Sequence, residues 1–159
     1  MKVLYLSYDG MTDNLGQSQV IPYLAGLSGK GCSITLVSFE KAEKFKTGQN
    51  KSSDLLKTSG ITWKPLIYTK RPPILSTIWD VFRLKRLTSK IVQKEKFEIV
   101  HCRGYITSLA GIYIEKKFGL KFIFDMRAFY ADERVDGKLW NTGKWIYRKV
   151  YQYFKRKEK

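Results

Sequence analysis

Residues 3–6 (VLYL) form a continuous apolar run, and the polar segment 7–10 (SYDG) follows it directly. A short run without polar alternation predicts a strand that is buried on both faces, followed by a turn. Between residues 20 and 27 apolar side chains recur at helical spacing, and residues 34–39 form a second apolar run. The chain therefore opens with the pattern of a strand, a helix and a second strand.

The same alternation continues to the end of the chain. It predicts an α/β fold: a Rossmann-like, doubly wound, mainly parallel sheet with helices on both faces. Pro65 predicts that the third strand lies at an edge of the sheet. Residues 40–53 are charged and predict a surface excursion before a short helix around residue 55, and residues 126–137 predict a polar loop. Further strands are expected at 61–68, 97–102 and 122–125, and helices at 74–96, from Gly104 and at 139–154.

Length and composition exclude several classes of protein. The 159 residues suit one domain, 1–159, and Lys and Arg number 30 against 14 Asp and Glu, which gives a net charge of +16. Most of that charge lies in residues 81–159, and it favours polyanionic partners. One histidine and two isolated cysteines fit neither a disulfide scaffold nor a zinc site of the usual spacing, so we expect no metal.

Targeting and nucleotide-binding motifs are also missing from the printed sequence. No signal peptide and no apolar stretch of about 20 residues is recognisable, so we expect a cytoplasmic protein, with the inner face of the membrane as a peripheral location. G-x-G-x-x-G and the P-loop pattern do not occur. We therefore expect no cofactor.

Three polar segments follow predicted strands: 8–19, 102–105 and 125–136. In a parallel sheet the carboxyl ends of the strands share one edge, and ligands bind there where the strand order reverses. The sequence therefore predicts that these three segments form one side of a cleft.

The first segment holds three candidate residues. Gly16 and Gln17 precede a helix, where backbone N–H groups can contact a phosphate; the alternative is that Gly10 and Gly16 only shape a turn. Asp13 is a candidate general base for a hydroxyl nucleophile, and a turn or helix-capping carboxylate is the competing interpretation.

The second segment holds His101 and Arg103. A histidine at the end of a strand suits binding or proton transfer, although a histidine satisfied by the backbone fits equally well. The Arg103 guanidinium matches the geometry of a phosphate or carboxylate.

The third segment mixes acids, arginines and aromatic residues. Arg127, Asp132 and Glu133 suit a sugar acceptor, because carboxylates bind hydroxyl groups and aromatic rings stack on sugars. A surface network of ion pairs is the alternative.

Three stretches together resemble the N-terminal half of retaining glycosyltransferases of family 4, which have the GT-B architecture. They are residues 9–24 (DGMTDNLGQSQVIPYL), 99–105 (IVHCRGY) and 124–137 (FDMRAFYADERVDG), and the resemblance extends over about residues 2–140. It implies a metal-independent transferase with two Rossmann-like domains, in which this chain binds the acceptor. Gly16 would approach the donor diphosphate, and His101, Arg103, Arg127, Asp132 and Glu133 would line the acceptor site.

Two departures from that family matter. Ala128 stands where the related branch has glycine, which would be strained if the backbone needed positive φ there. No two glutamates lie eight residues apart, although the donor-binding domain of the family carries such a pair. We therefore expect an isolated acceptor-side domain that is inactive without a C-terminal, donor-binding domain.

The resemblance implies as partners a nucleotide-sugar donor and a saccharide or lipid-linked acceptor for a surface polysaccharide or glycolipid. The competing hypothesis is a basic module that binds anionic membrane or nucleic acid. Nucleic acid is the less favoured partner, because no stacking platform is recognisable.

Overall fold

A computed structural model of the protein describes residues 1–158, in which five strands form one parallel sheet. The strand order is β3-β2-β1-β4-β5, so the predicted Rossmann-like α/β fold is confirmed. Pro65 lies in the edge strand β3, as its missing N–H group requires. The strands are β1 (Lys2–Ser7), β2 (Ser33–Glu40), β3 (Ile61–Ile67), β4 (Ile99–Arg103) and β5 (Lys121–Asp125).

Helices connect the strands. A π-helical turn at Gly16–Val20 runs directly into the first α-helix. Gly119 ends the fourth helix in the left-handed conformation (φ 72°), which glycine adopts without strain. The α-helices are α1 (Ile21–Gly29), α2 (Ala42–Thr58), α3 (Leu75–Lys94), α4 (Tyr105–Phe118), α5 (Tyr130–Asp136) and α6 (Trp145–Lys157).

The two faces of the sheet bury different side chains, because successive residues of a strand point in opposite directions. Leu4 and Leu6 of β1 pack in a cluster with Leu84 of α3. Tyr5, between them, faces the opposite cluster, which includes Leu24 of α1 and Leu56 of α2. Burial on both faces explains why β1 is a continuous apolar run.

The strand order reverses between β1 and β4. The chain first builds β2 and β3 on one side of β1 and then returns to place β4 and β5 on the other side. Ser7 and Arg103, the last residues of β1 and β4, pair in register. The loop after β1 and the end of β4 therefore meet at the position where α/β sheets bind ligands.

The prediction for residues 40–53 was wrong about their conformation, although most of them lie at the surface. Glu40 ends β2, and the residues from Ala42 onward belong to α2, a single helix of 17 residues that continues to Thr58. Only Ser52 and Leu56 of this helix are buried, and Phe45 packs edge-to-face on Trp63 at 5.9 Å between ring centroids. Because the inner face of this helix has so few apolar residues, its sequence shows almost no hydrophobic periodicity from which a helix could be predicted.

The prediction for residues 126–137 was wrong in part. Residues 130–136 form the short helix α5, and α6 begins at Trp145 rather than near Leu139. Between the two helices Lys138 adopts a positive φ of 55°, and residues 139–144, which the basic aromatic pattern had placed in the last helix, are not helical. Ala128 does not adopt a positive φ, so replacing glycine there creates no backbone strain.

The chain divides into two compact units, one from Met1 to Asp125 and one from Met126 onward. The first contains the whole sheet with α1 to α4. In the second, the rings of Tyr130, Trp140 and Phe154 form a cluster with centroids 5.0 to 6.0 Å apart. Within residues 1–158 no helix is long and apolar enough to span a bilayer.

Replacing Gly16 by alanine should destabilise the first unit. The added Cβ would lie 2.7 Å from the Cα of Met11 and overlap the Gly10 carbonyl, and backbone atoms cannot move aside. We expect the free energy of unfolding in urea to fall by about 1–3 kcal/mol. The control is Gly26→Ala in α1, where the added Cβ meets no atom within 4 Å, and a gain of about 0.5–1 kcal/mol is expected. Equal effects of the two substitutions would contradict this packing.

Candidate functional site

Arg103 joins three segments at the edge of the sheet. Its Nε donates a hydrogen bond to Asp9 in the loop after β1 (3.0 Å), and Nη2 donates to the side-chain oxygen of Gln19 before α1 (3.0 Å). Nη1 lies 3.7 Å from a carboxylate oxygen of Asp125 at the end of β5. The guanidinium is only 7% exposed, so these partners replace water. The first predicted segment, the second and the last residue of β5 therefore do converge.

The charge of Arg103 is firmly held. Burial opposes it, but the hydrogen bond to Asp9 and the nearby Tyr5 and Asp125 together raise the pKa of Arg103 above its ordinary value. An anionic ligand would have to compete with Asp9 and Asp125 for the same guanidinium. The structure thus gives Arg103 a positioning role that the sequence did not reveal.

His101 lies two residues before Arg103 in β4, so the two side chains point to the same face of the sheet. Its imidazole is buried, edge-on to the ring of Tyr5 at 4.6 Å and to that of Tyr23 at 6.1 Å. Burial lowers the pKa of His101; Asp125 opposes that shift and Arg103 adds to it. The side chain is therefore neutral at pH 7, with an imidazole that can accept a proton.

The first loop folds tightly on itself. Gly16 is buried against the backbone of Gly10 and Met11, where no side chain would fit. The backbone N–H of Gln17 donates to the carbonyl of Asp13 (3.0 Å), so it is not available to a phosphate. A phosphate contact by Gln17 would have to use its side chain, which is half-buried.

Glu40 is a functional candidate that the sequence did not indicate. This fully buried carboxylate at the end of β2 accepts hydrogen bonds from the backbone N–H groups of Met11 (2.8 Å) and Thr12 (3.0 Å). The hydroxyl groups of Thr12 (2.7 Å) and Ser38 (2.6 Å) complete its set of donors. Glu40 therefore fixes the backbone of the first loop. Its position as the last residue of an apolar strand was the available signal.

Asp13 is held between two ammonium groups. Lys41 Nζ lies 3.0 Å from one carboxylate oxygen and Lys44 Nζ lies 2.8 Å from the other. Burial works against ionisation, but the two lysines prevail and the pKa of Asp13 is lowered. A carboxylate that is stabilised in this way is a weak proton acceptor, and the pairing favours an anchoring role.

A second buried carboxylate, Asp80 in α3, ties the loop after β3 to the end of β1. It accepts hydrogen bonds from the Tyr8 hydroxyl (3.0 Å) and from the Thr69 hydroxyl (2.7 Å) and N–H (3.1 Å). Arg83 lies 3.3 Å away. Burial and the Asp80 charge raise the pKa of Tyr8, which therefore stays protonated and serves as a donor.

The candidates of the third segment lie in the second unit. Arg127 and Glu133 are exposed, and Glu133 is in the first turn of α5. Asp132 accepts hydrogen bonds from Tyr151 (2.8 Å) and Lys155 (2.9 Å) of α6, and these partners lower its pKa. Asp132 therefore takes part in a surface network of ion pairs, which was the alternative interpretation of this segment.

Within the part of the chain that the structure describes, no group of three or more His, Cys, Asp or Glu residues is arranged to hold a metal ion. Cys102 is buried, and burial raises the pKa of its thiol.

Comparisons with known proteins identify the fold. No protein-family profile matches the chain, and no curated protein matches its sequence. Among solved structures, the chain is similar to a C-terminal domain of PF1911 hydrogenase from Pyrococcus furiosus, with 15% identity and a TM-score of 0.57 over 79% of this chain and 90% of that one.

Two glycosyltransferases are also similar. The glycotransferase of kitacinnamycin is 9% identical (TM-score 0.56), and a glycosyltransferase from Rickettsia africae ESF-5 is 14% identical (TM-score 0.52); 77% of this chain is covered in each case. The similarity spans only 29% and 28% of those two chains. At such identities the similarity shows a shared Rossmann-like fold, of the kind found in part of each glycosyltransferase.

The protonation of His101 can be measured directly, since it is the only histidine. Its ring proton signals in a proton NMR titration should give a pKa below the ordinary value of 6.5, because burial disfavours the imidazolium. In Asp125→Asn that pKa should fall further, since the Asp125 charge raises it in the native protein. A pKa of about 6.5 or higher in the unmodified chain would contradict the buried position.

Proposed function

We propose that this chain is the acceptor-side domain of a nucleotide-sugar-dependent, retaining glycosyltransferase that builds a surface polysaccharide or glycolipid. The observation that supports it most is the Arg103 network, because two of the stretches that resemble such enzymes are joined there at the reversal of strand order. The donor sugar would be held by a second, C-terminal domain.

The reaction itself defines what the site must do. The bond between the sugar C1 and the diphosphate oxygen breaks, a hydroxyl oxygen of the acceptor bonds to C1, and that hydroxyl loses its proton. Negative charge therefore accumulates on the departing diphosphate. Positive charge near the first loop would stabilise it.

The first loop is our candidate for the diphosphate contact. Gly16 allows the backbone to pack closely, and Gln17 offers a side-chain amide. Asp13 brings the ammonium groups of Lys41 and Lys44 to this loop. We assign Asp13 to holding that charge; the lowered pKa does not favour the role of general base.

The acceptor would bind beside β4. His101 is neutral at pH 7 and can take the proton of the acceptor hydroxyl, and Arg103 positions the loop that faces it. In the second unit, Arg127, Asp132 and Glu133 are the candidates for binding acceptor hydroxyl groups. Asp132 would do so while it is held by Lys155.

The proposal can be tested by titrating the ¹⁵N-labelled chain with UDP-glucose and with pyrophosphate. We expect both to shift the amide signals of residues 10–19, because the diphosphate is the shared group. Gln17→Ala should weaken the response about 3- to 10-fold, as expected for one lost hydrogen bond. Gln49→Ala, on an exposed position of α2, is the matched control and should change nothing.

Three results would contradict the proposal. One is a response spread over the basic helices without residues 10–19, which charge alone would explain. Another is tight binding of NAD with no response to UDP-glucose. The third is sugar transfer by this chain alone, which would contradict the division between acceptor and donor domains.

A further inference from the structure

The outer face of α3 carries an unusual apolar stripe. Leu75, Ile78, Trp79 and Phe82 are 63%, 60%, 53% and 51% exposed, and their spacing places them on one side of the first two helical turns. The rings of Trp79 and Phe82 stack at 5.5 Å between centroids. A contiguous apolar surface of this kind marks a contact with a partner rather than ordinary surface.

The same face becomes basic in the following turns. Arg86 and Lys90 continue the stripe at helical spacing, and both are exposed. Lys70 and Arg71, in the loop before the helix, are exposed as well. The acidic residue of α3, Asp80, is fully buried on the opposite side. The outer face is therefore apolar and then cationic, with no carboxylate between.

The start of α3 is held in place. Asp80 bonds to Thr69 and to the Tyr8 hydroxyl, which connects the helix to the edge of the sheet. Val81 and Leu84 of the same turns are buried, and Leu84 packs in the cluster that includes Leu4 and Leu6 of β1. The stripe is thus presented by a fixed helix.

The chemistry of the face selects the partner. Apolar and aromatic side chains beside exposed cations match a bilayer with anionic headgroups, where rings enter the boundary and cations meet phosphates. A second copy would bring two faces of the same positive sign together. Duplex nucleic acid would use Arg86 and Lys90 but gains nothing from Leu75 or Ile78.

We propose that the outer face of α3 binds an anionic phospholipid bilayer. Leu75, Ile78, Trp79 and Phe82 insert at the headgroup boundary, and Arg86 and Lys90 contact headgroup phosphates. The inference stands independently of the proposed glycosyl transfer, because it uses none of the residues of the candidate site.

Co-sedimentation with vesicles tests the inference. The chain should pellet with phosphatidylcholine vesicles that contain 30% phosphatidylglycerol, and much less with phosphatidylcholine alone, at about 150 mM salt. Trp79→Ser combined with Phe82→Ser should lower the partition coefficient at least 10-fold. Leu55→Ser, which removes an exposed apolar side chain from α2, should leave it unchanged.

The role of the cationic side chains is tested with two matched double variants. Arg86→Glu with Lys90→Glu should lower the partition at least 10-fold, whereas Lys46→Glu with Lys57→Glu on α2 makes the same change in net charge and should have a smaller effect. Circular dichroism and urea unfolding of every variant keep a folding defect separate from a binding defect.

Several outcomes would overturn the inference. Unchanged pelleting of the Trp79/Phe82 variant would do so, as would a loss seen only with Trp145→Ser in α6. Tight binding of duplex DNA that depends on Arg86 and Lys90 but not on Trp79 would assign the face to nucleic acid. A dimer in sedimentation velocity that the Trp79/Phe82 variant abolishes would assign it to a second copy.

Discussion

The buried guanidinium of Arg103 is the constraint on which the candidate site depends. It contacts Asp9, Gln19 and Asp125, which follow β1, precede α1 and end β5. Burying a cation destabilises the fold unless its N–H groups are hydrogen-bonded. Losing any of these partners would therefore destabilise the folded state. Through these contacts Arg103 holds the first loop at the end of β4.

Two buried carboxylates complete that edge of the sheet. Glu40 fixes the backbone of Met11 and Thr12, and Asp80 fixes Thr69 and the hydroxyl of Tyr8. Each receives several hydrogen bonds, so neither leaves an unsatisfied oxygen to penalise folding. The loops are therefore set before any ligand binds, which lowers the entropic cost of binding.

The sequence predicted the features that follow from the hydrophobic pattern and from the backbone properties of proline and glycine. Apolar runs located the strands, Pro65 located the edge, and Gly104 located the start of α4. It could not predict α2, because Ser52 is buried and Gly48 faces Thr12, so the inner face of the helix has almost no hydrophobic period. Nor could it predict that residues 139–144 are not helical. The residue types at the site were recognisable, but the partners of Arg103 lie up to 94 positions away from it in the chain, and only the folded sheet brings them together.

A double-mutant cycle measures the central contact most directly. Arg103→Met and Asp9→Asn, alone and combined, are compared by urea unfolding, with Arg103→Met and Asp54→Asn as the control pair on an exposed position of α2. We expect a coupling energy of about 1 kcal/mol or more for Arg103 with Asp9, and none for the control. Additive effects, within about 0.3 kcal/mol, would show that Arg103 does not hold the first loop at the end of β4.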